Sequence, residues 1–193
     1  MNDKDDLALE NVIFAFFDLE TTGLEPGQGD KICEVAVLRT RSGQHLESFH
    51  SLVDPGRALS PAAYAVNGIT QKMLDGKPKF KQISGQVLKM FDDAVIVCHN
   101  ALFDIRFLKV ELEEAGLRLP DYQIIDTLTL ARKHFNFSNN SLGSIARFLG
   151  IKIEQSHRAM GDCITTHQVF ERFLKDLNWR RTITLNKLLN VPR

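Results

Sequence analysis

The run Ala94–Cys98 (AVIVC) limits the folds open to this chain more than any other segment. A continuous apolar, mostly β-branched run of this length is typical of a strand that is covered on both faces. Before it, Phe80–Phe91 has apolar residues at helical spacing. After it, Asn100 can cap a helix over Ala101–Ala115, which ends at Gly116. A buried strand between two helices indicates an α/β layer fold.

The first part of the chain predicts antiparallel strands. Val12–Asp18, Ile32–Leu38 and Leu46–Val53 are runs of strand length, and Arg41–Gln44 (RSGQ) predicts a hairpin turn between the last two. Strands of this kind, followed by alternating strands and helices, indicate a mixed five-stranded sheet with flanking helices. A further short strand is predicted at Gln123–Ile125, and further helices at Pro61–Val66, Thr70–Leu74, Asp126–His134, Leu142–Leu149 and Ala159–Leu177.

Composition narrows the class of protein. A chain of 193 residues with 44% apolar and 25% charged residues is the size of one domain and can bury a core. Lys+Arg and Asp+Glu are both 24, so the formal net charge is zero, which disfavours a broad basic surface but leaves room for a local basic groove. Three scattered cysteines without CxxC spacing, an acidic start and no apolar run of membrane length favour a cytoplasmic protein.

Two carboxylates lie at the end of the first predicted strand, in the segment FFDLETTGL. Asp18 and Glu20 are two residues apart in an extended chain, so their side chains point the same way. Two adjacent carboxylates repel each other, and a hard divalent cation such as Mg²⁺ or Mn²⁺ removes that repulsion. An isolated Asp-x-Glu is more often a pair of solvated acids, so this pair needs support from other segments.

Two other segments supply that support. Asp104 lies in the first turn of the helix after AVIVC, and Asp162 begins the long helix, five residues after His157. Each acid alone has an ordinary explanation, because acids favour helix N-termini. Together, however, these elements would meet at one edge of the sheet. Four carboxylates there favour a two-metal site for phosphoryl transfer, with the imidazole as proton acceptor.

The same segments resemble the DEDDh family of 3′→5′ exonucleases, in the branch of the bacterial polymerase III epsilon proofreading subunit and RNase T. FDLETTGL is similar to the first motif of the family, HNALFDIRFL to the second and HRAMGDCITTHQVF to the third. The motifs occur in family order, and the resemblance runs from Val12 to Leu174. It implies a ribonuclease H-like fold and an enzyme that releases nucleoside 5′-monophosphates from a 3′ end.

The resemblance also implies two divalent cations, Mg²⁺ or Mn²⁺, and assigns a role to each motif residue. Asp18 would bridge both ions, and Glu20 and Asp162 would complete the first. Asp104 would hold the second, largely through water. His157 would take the proton from the attacking water, so activity is expected to rise with pH as the imidazole loses its proton.

A pocket for the 3′-terminal nucleotide is implied as well. The residues after the first acid would line it, with Gly23 allowing a close approach of the backbone; they are Leu19, Thr21, Thr22 and Leu24. Phe103 either packs against a base or sugar or packs against Phe107 in the core. His99 either lines the cleft or, as we prefer, is a hydrogen-bonded residue at a strand end.

Other polar residues receive structural interpretations. Asn100 and Asp126 are interpreted as helix caps. Glu34, inside an apolar strand, is interpreted as a structural hydrogen-bonding group.

The substrate class stays open at this level. We favour single-stranded DNA, with a DNA polymerase subunit as a candidate partner. The alternatives are an RNA 3′-end-trimming exoribonuclease similar to RNase T or oligoribonuclease, and a non-catalytic nucleic-acid-binding module on the same fold. The expected exonuclease domain covers residues 12–177, between an N-terminal tail at 1–11 and a C-terminal tail at 178–193.

Overall fold

The computed structural model describes residues 7–153, 156–178 and 183–190. Its strands are β1 (Ile13–Thr21), β2 (Ile32–Arg41), β3 (Gln44–Leu52), β4 (Ala94–Cys98) and β5 (Ile124–Asp126). Its α-helices are α1 (Pro61–Asn67), α2 (Gln71–Leu74), α3 (Phe80–Lys89), α4 (Ala101–Glu114), α5 (Thr127–His134), α6 (Leu142–Phe148), α7 (Ala159–Asp176) and α8 (Leu185–Leu189).

The strands form one mixed sheet in the order β3-β2-β1-β4-β5. β1 pairs antiparallel with β2, and β2 pairs antiparallel with β3. On the other side of β1, β4 and then β5 are parallel. The predicted architecture, three antiparallel strands followed by parallel strands and helices, is therefore confirmed.

The hairpin between β2 and β3 forms at the predicted turn. Ser42 and Gly43 both have positive φ angles, 53° and 76°. Two central residues of this kind make a turn whose twist matches the twist of the flanking strands.

β1 is longer at its C-terminal end than the apolar run predicted. It continues to Thr21 because it stays paired with β2 to its end: Glu20 lies opposite Glu34, and Thr21 lies opposite Ile32 after a register shift. Pairing with β4 stops earlier, at Phe16. β1 therefore extends past β4, and Asp18 and Glu20 lie inside the strand rather than at its end.

Both faces of the sheet are covered, as the apolar β4 predicted. On one face Phe14 and Phe16 of β1 contact Phe170 of α7, with ring centroids 5.1 and 5.8 Å apart. On the other face Phe17 contacts Phe91, just after α3, at 5.1 Å. Because alternate residues of a strand share a face, Asp18 and Glu20 continue the α7 face of β1. This alternation brings the carboxylates of β1 towards the helix that carries Asp162.

The end of the described chain packs onto the same core. Leu185 and Leu188 of α8 are buried in the cluster that contains Leu9 and Phe14. Residues 179–182 and 191–193 of the predicted C-terminal segment, and 1–6 of the N-terminal one, lie outside the described residues. The three cysteines are buried and unpaired. Within the described part of the chain, every helix is too short or too polar to span a bilayer.

Candidate active site

One cavity of about 350 Å³ opens where β1 runs past β4. It lies beside the first turns of α4 and α7, because both helices begin at this edge of the sheet. All five residues predicted to be catalytic line it: Asp18, Glu20, Asp104, His157 and Asp162.

Three of the carboxylates form a compact group. Asp18, Glu20 and Asp162 each offer an oxygen, and these oxygens lie within 4.8 Å of one another. Glu20 is buried, and the other two are partly buried. The group arises because β1 presents its two acids on the face that α7 covers.

The electrostatics of this group are unfavourable without a cation. Burial and the negative charges of Asp104, Asp162 and Glu20 raise the pKa of Asp18 well above its ordinary value. Burial and Asp162 raise the pKa of Glu20 to about 8. Burial also raises the pKa of Asp162 to about 6, although His157 opposes the shift. Such a cluster binds either protons or a metal ion, and its ligand atoms are all the hard oxygens that Mg²⁺ and Mn²⁺ prefer.

Asp104 lies on α4 and is outside that group of three carboxylates. It is buried, at 3% exposure, in the first turn of α4. Burial raises its pKa, and hydrogen bonds from its own backbone N–H and that of Leu19 partly offset this. Among the charges that raise the pKa of Asp18, that of Asp104 is the largest. The fourth carboxylate therefore belongs electrostatically to the same site.

His157 is held at the cavity by an unusual backbone conformation. Its φ angle is 58°, in the left-handed region that non-glycine residues rarely adopt. Its backbone N–H donates to Oδ2 of Asp162 at 3.0 Å. The imidazole is on an exposed residue that lines the cavity. The turn before α7 therefore joins the candidate base to a candidate metal ligand.

Most of the predicted nucleotide-pocket residues also line the cavity. They are Leu19, Thr21, Gly23, Leu24, His99 and Phe103. Leu24 is 73% exposed at this site. The wall thus combines apolar side chains with the carboxylates.

Thr22 is placed differently from the prediction. It is fully buried, its hydroxyl donates to Oδ1 of Asp30 at 3.1 Å, and it accepts from the N–H of Lys31 at 3.0 Å. Its side chain is therefore occupied within the loop after β1 and does not line the cavity. A Cβ on Gly23 would overlap the carboxylate of Asp30, so the close approach that this glycine permits is to Asp30.

His99 and Phe103, both in the second motif, each had two alternative interpretations, which their contacts now test. Both ring nitrogens of His99 are hydrogen-bonded, to Oγ1 of Thr127 and to the carbonyl of Asn140, each at 2.9 Å, as the strand-end interpretation requires. Phe103 contacts Phe107, with ring centroids 5.0 Å apart, and also lines the cavity.

The cap prediction is right for Asp126 and wrong for Asn100. Asp126 accepts from the N–H of Leu128 at 2.9 Å and caps α5. Asn100 stands at the start of α4 with φ 74°, and its side chain makes no cap hydrogen bond. Its backbone N–H instead donates to Asp126 at 2.9 Å, which orients the residue towards the cavity.

Sequence reasoning missed the wall formed by α1. The residues in it are Ser60, Ala62, Ala63, Val66 and Asn67. Asn67 is buried, its Nδ2 lies 3.5 Å from the carbonyl of Thr21, and its side chain also hydrogen-bonds Glu20. The one available signal was a polar residue directly before Gly68, where a short helix ends.

Comparison with known proteins gives a consistent result. The family model described as Exonuclease (RNase_T) matches residues 15–170. The chain is 36% identical over 192 residues to DNA polymerase III PolC-type from Thermotoga maritima, covering 100% of this chain and 14% of that protein. It is 33% identical over 181 residues to the 3′-5′ exonuclease DinG from Bacillus subtilis, covering 93% of this chain and 19% of that protein. The chain thus spans less than a fifth of either relative.

A solved structure has a similar fold over nearly its whole length. This is Exonuclease X in complex with 5′ overhanging duplex DNA, with a TM-score of 0.72 and 25% identity. The match covers 92% of this chain and 99% of that one.

Proposed function

The chain belongs to the exonuclease family that includes RNase T, in its DEDDh group, and from this we propose that it removes nucleotides from the 3′ end of single-stranded nucleic acid. The products are nucleoside 5′-monophosphates, and DNA is the favoured substrate. One observation carries the proposal: four carboxylates and a histidine, from three separate parts of the chain, line one cavity.

The donor set fits divalent cations. Asp18, Glu20 and Asp162 place three oxygens within 4.8 Å of one another, and burial raises the pKa of each. We assign them to one Mg²⁺ or Mn²⁺ ion, and Asp104 together with Asp18 to a second. When bound, two such ions supply Lewis-acid charge for the attacking water and the leaving oxygen.

His157 is proposed as the general base. Its residue is exposed at the cavity, and the hydrogen bond from its backbone to Asp162 sets the ring beside the carboxylates. The imidazole would accept the proton of the water that attacks the terminal phosphodiester. The departing 3′ oxygen would be stabilised by a bound metal ion, so no lysine is required there.

The remaining walls would hold the terminal nucleotide. A volume of about 350 Å³ lies at the lower end of the range for small-ligand pockets and suits a single nucleotide. Phe103 and Leu24 offer apolar surface to a base or sugar. Apolar contact of this type does not distinguish one base from another, so we propose hydrolysis with little sequence preference.

The extent of the domain and its partners are also proposals. We propose that residues 12–177 form the catalytic part of the exonuclease domain, and that the flanking segments 1–11 and 178–193 support it, since Leu9, Leu185 and Leu188 pack into its core. Because the matching relative from Thermotoga maritima is named as a DNA polymerase, we propose that this chain acts beside a polymerase.

The test uses one oligonucleotide sequence, made as DNA and as RNA, each labelled at the 5′ or the 3′ end. The purified protein is incubated with each in Mn²⁺ or in EDTA. Mononucleotides released from the 3′ label in Mn²⁺ alone would support the proposal, and the faster polymer identifies the preferred sugar. Asp18→Asn and His157→Ala should each lose nearly all hydrolysis, and Glu47→Gln, an exposed carboxylate on β3, serves as control. Unchanged rates in Asp18→Asn would refute the metal site.

A further inference from the structure

Glu34 is a buried carboxylate that the proposed chemistry does not use. It lies on β2 directly opposite Glu20, and its exposure is 0%. Burial raises its pKa, but hydrogen bonds from His50, Arg158 and Ala159 outweigh that effect and lower the pKa to about 2. The group is therefore a fully paired anion within the sheet, next to the catalytic cluster.

Its partners lie on two sides. Arg158 donates from Nη2 to Oε1 at 2.7 Å and from Nε to both oxygens, at 3.1 and 3.2 Å. The backbone N–H of Ala159 donates to Oε2 at 3.1 Å. On the β3 side, Nε2 of His50 is 2.7 Å from Oε1. Charged hydrogen bonds of this paired geometry fix position as well as adding stability.

The residues that Glu34 holds are those between the candidate base and a candidate metal ligand. Arg158 directly follows His157, and its carbonyl accepts the first bond of α7, from the N–H of Asp162 at 3.0 Å. Ala159 is the first residue of α7. His157 itself has φ 58°, a conformation that persists only where the surroundings impose it.

We infer that Glu34 is a positioning residue, which sets the His157 imidazole and the Asp162 carboxylate in the cavity by holding Arg158 and Ala159. Glu34 does not line the cavity, so it contacts neither substrate nor reacting atoms. Glu34 also helps to raise the pKa of Glu20, and the paired Arg158 offsets this only in part. The positioning role rests instead on the hydrogen bonds that Glu34 accepts from Arg158 and Ala159. The inference rests on the roles proposed above for His157 and Asp162.

The first test compares Glu34→Gln with Glu47→Gln. Both change a carboxylate to an amide on adjacent strands, but Glu47 is exposed, 3.4 Å from Arg39. With saturating Mn²⁺ and a 3′-labelled single strand, well below the Tm of each variant, we expect kcat of Glu34→Gln to fall about 100-fold, the loss typical of a displacement of about 1 Å. KM should stay within about twofold, because the nucleotide walls are untouched. A kcat within about threefold of wild type would overturn the inference.

A double-variant cycle shows whether Glu34 acts through the base. The single-turnover rate is measured in a His157→Ala background and in wild type. The fold-loss of rate caused by Glu34→Gln should be at least tenfold smaller in the His157→Ala background, because residues that act as a unit are non-additive. The same loss in both backgrounds would contradict action through His157.

Amide hydrogen exchange gives a readout that needs no catalysis. In the metal-free protein, Glu34→Gln should speed exchange at His157 and Ala159 by tenfold or more, with no change at Val97 in β4. Unchanged exchange at both amides refutes the positioning role, whereas wild-type protein that hydrolyses nothing refutes the proposed function.

If Glu34→Gln does not fold, Arg158→Lys is the second variant, since it keeps the charge and loses the paired geometry. It should lower kcat about tenfold with KM unchanged, and unchanged kcat there would overturn the inference.

Discussion

Glu20 is buried among other carboxylates, so its charge opposes folding when no cation is bound. Replacing it by glutamine keeps its size and an oxygen that can accept the hydrogen bond from Asn67. The change removes only the ionisation. We therefore expect Glu20→Gln to stabilise the metal-free protein at alkaline pH while abolishing hydrolysis.

The magnitude and its pH range follow from the pKa of Glu20, which is raised from 4.5 to about 8 by burial and by Asp162. Because the folded-state pKa lies above the unfolded value, Glu20 carries no penalty below pH 4.5, where both states are protonated. The unfolded state ionises first as the pH rises, so the stability of the folded state falls between pH 4.5 and about pH 8. At 1.36 kcal/mol per pKa unit, the raised pKa of Glu20 lowers the free energy of unfolding by up to about 5 kcal/mol at pH 8.5 and by about 1 kcal/mol at pH 5.5. For a chain of this size, the difference corresponds to roughly 10 °C in Tm.

Thermal melts in EDTA at pH 5.5 and pH 8.5 measure this directly. Glu20→Gln should melt roughly 10 °C above wild type at pH 8.5 and only a few degrees above it at pH 5.5. Glu47→Gln, the same change at an exposed position, should leave the Tm unchanged at both pH values. A Glu20→Gln variant with a Tm at or below that of wild type at pH 8.5 would refute the electrostatic reasoning. The same increase in Tm over wild type at both pH values would refute it as well.

Three other predictions follow from the site and its supporting loop. Mn²⁺ should raise the Tm of the wild-type protein at pH 8 with a saturable dose dependence, and Asp18→Asn should lose most of that shift; equal shifts in both proteins would count against the assigned ligands. Thr22→Val should lower the free energy of unfolding by about 1–3 kcal/mol, measured by urea titration, with KM unchanged, because its hydroxyl serves Asp30 rather than substrate. Gly23→Ala should lower Tm, and it should lower it much less in an Asp30→Ala background, which lacks the carboxylate that the new Cβ overlaps; an equal fall in both backgrounds would mean that the strain lies elsewhere.

Local patterns in the sequence were enough to predict the framework. The β-branched run at Ala94–Cys98 forms β4, between β1 and β5, with the predicted bounds, because a run of this kind has few alternatives once helices flank it. The RSGQ turn and the long amphipathic α7 were predictable for the same reason: their signals lie within a few neighbouring residues. The placement of Asp104 and Asp162 in first helical turns follows from these elements.

Features that depend on distant partners were not predictable. The inward direction of Thr22 depends on Asp30, which fills the space beside Gly23. The left-handed backbone of Asn100 depends on its bond to Asp126, on another strand. The position of α1 in the cavity wall depends on the segment between β3 and α1, which ends where the N–H of Ser60 donates to the carbonyl of Thr22, just after β1. No local pattern encodes these distances.

The sequence by itself determined which chemical groups this protein has and which elements carry them: carboxylates on a strand and on two helix starts, and a histidine before the last of these. Their meeting at one edge of the sheet was predicted, but only the tertiary structure decided how closely the carboxylates lie, that burial raises the pKa of Glu20 to about 8, and that Glu34 holds the turn that bears His157. The physical reason is that residue type and periodicity are local properties. Burial, charge repulsion and hydrogen-bond geometry, in contrast, depend on distances between residues that are far apart in the chain.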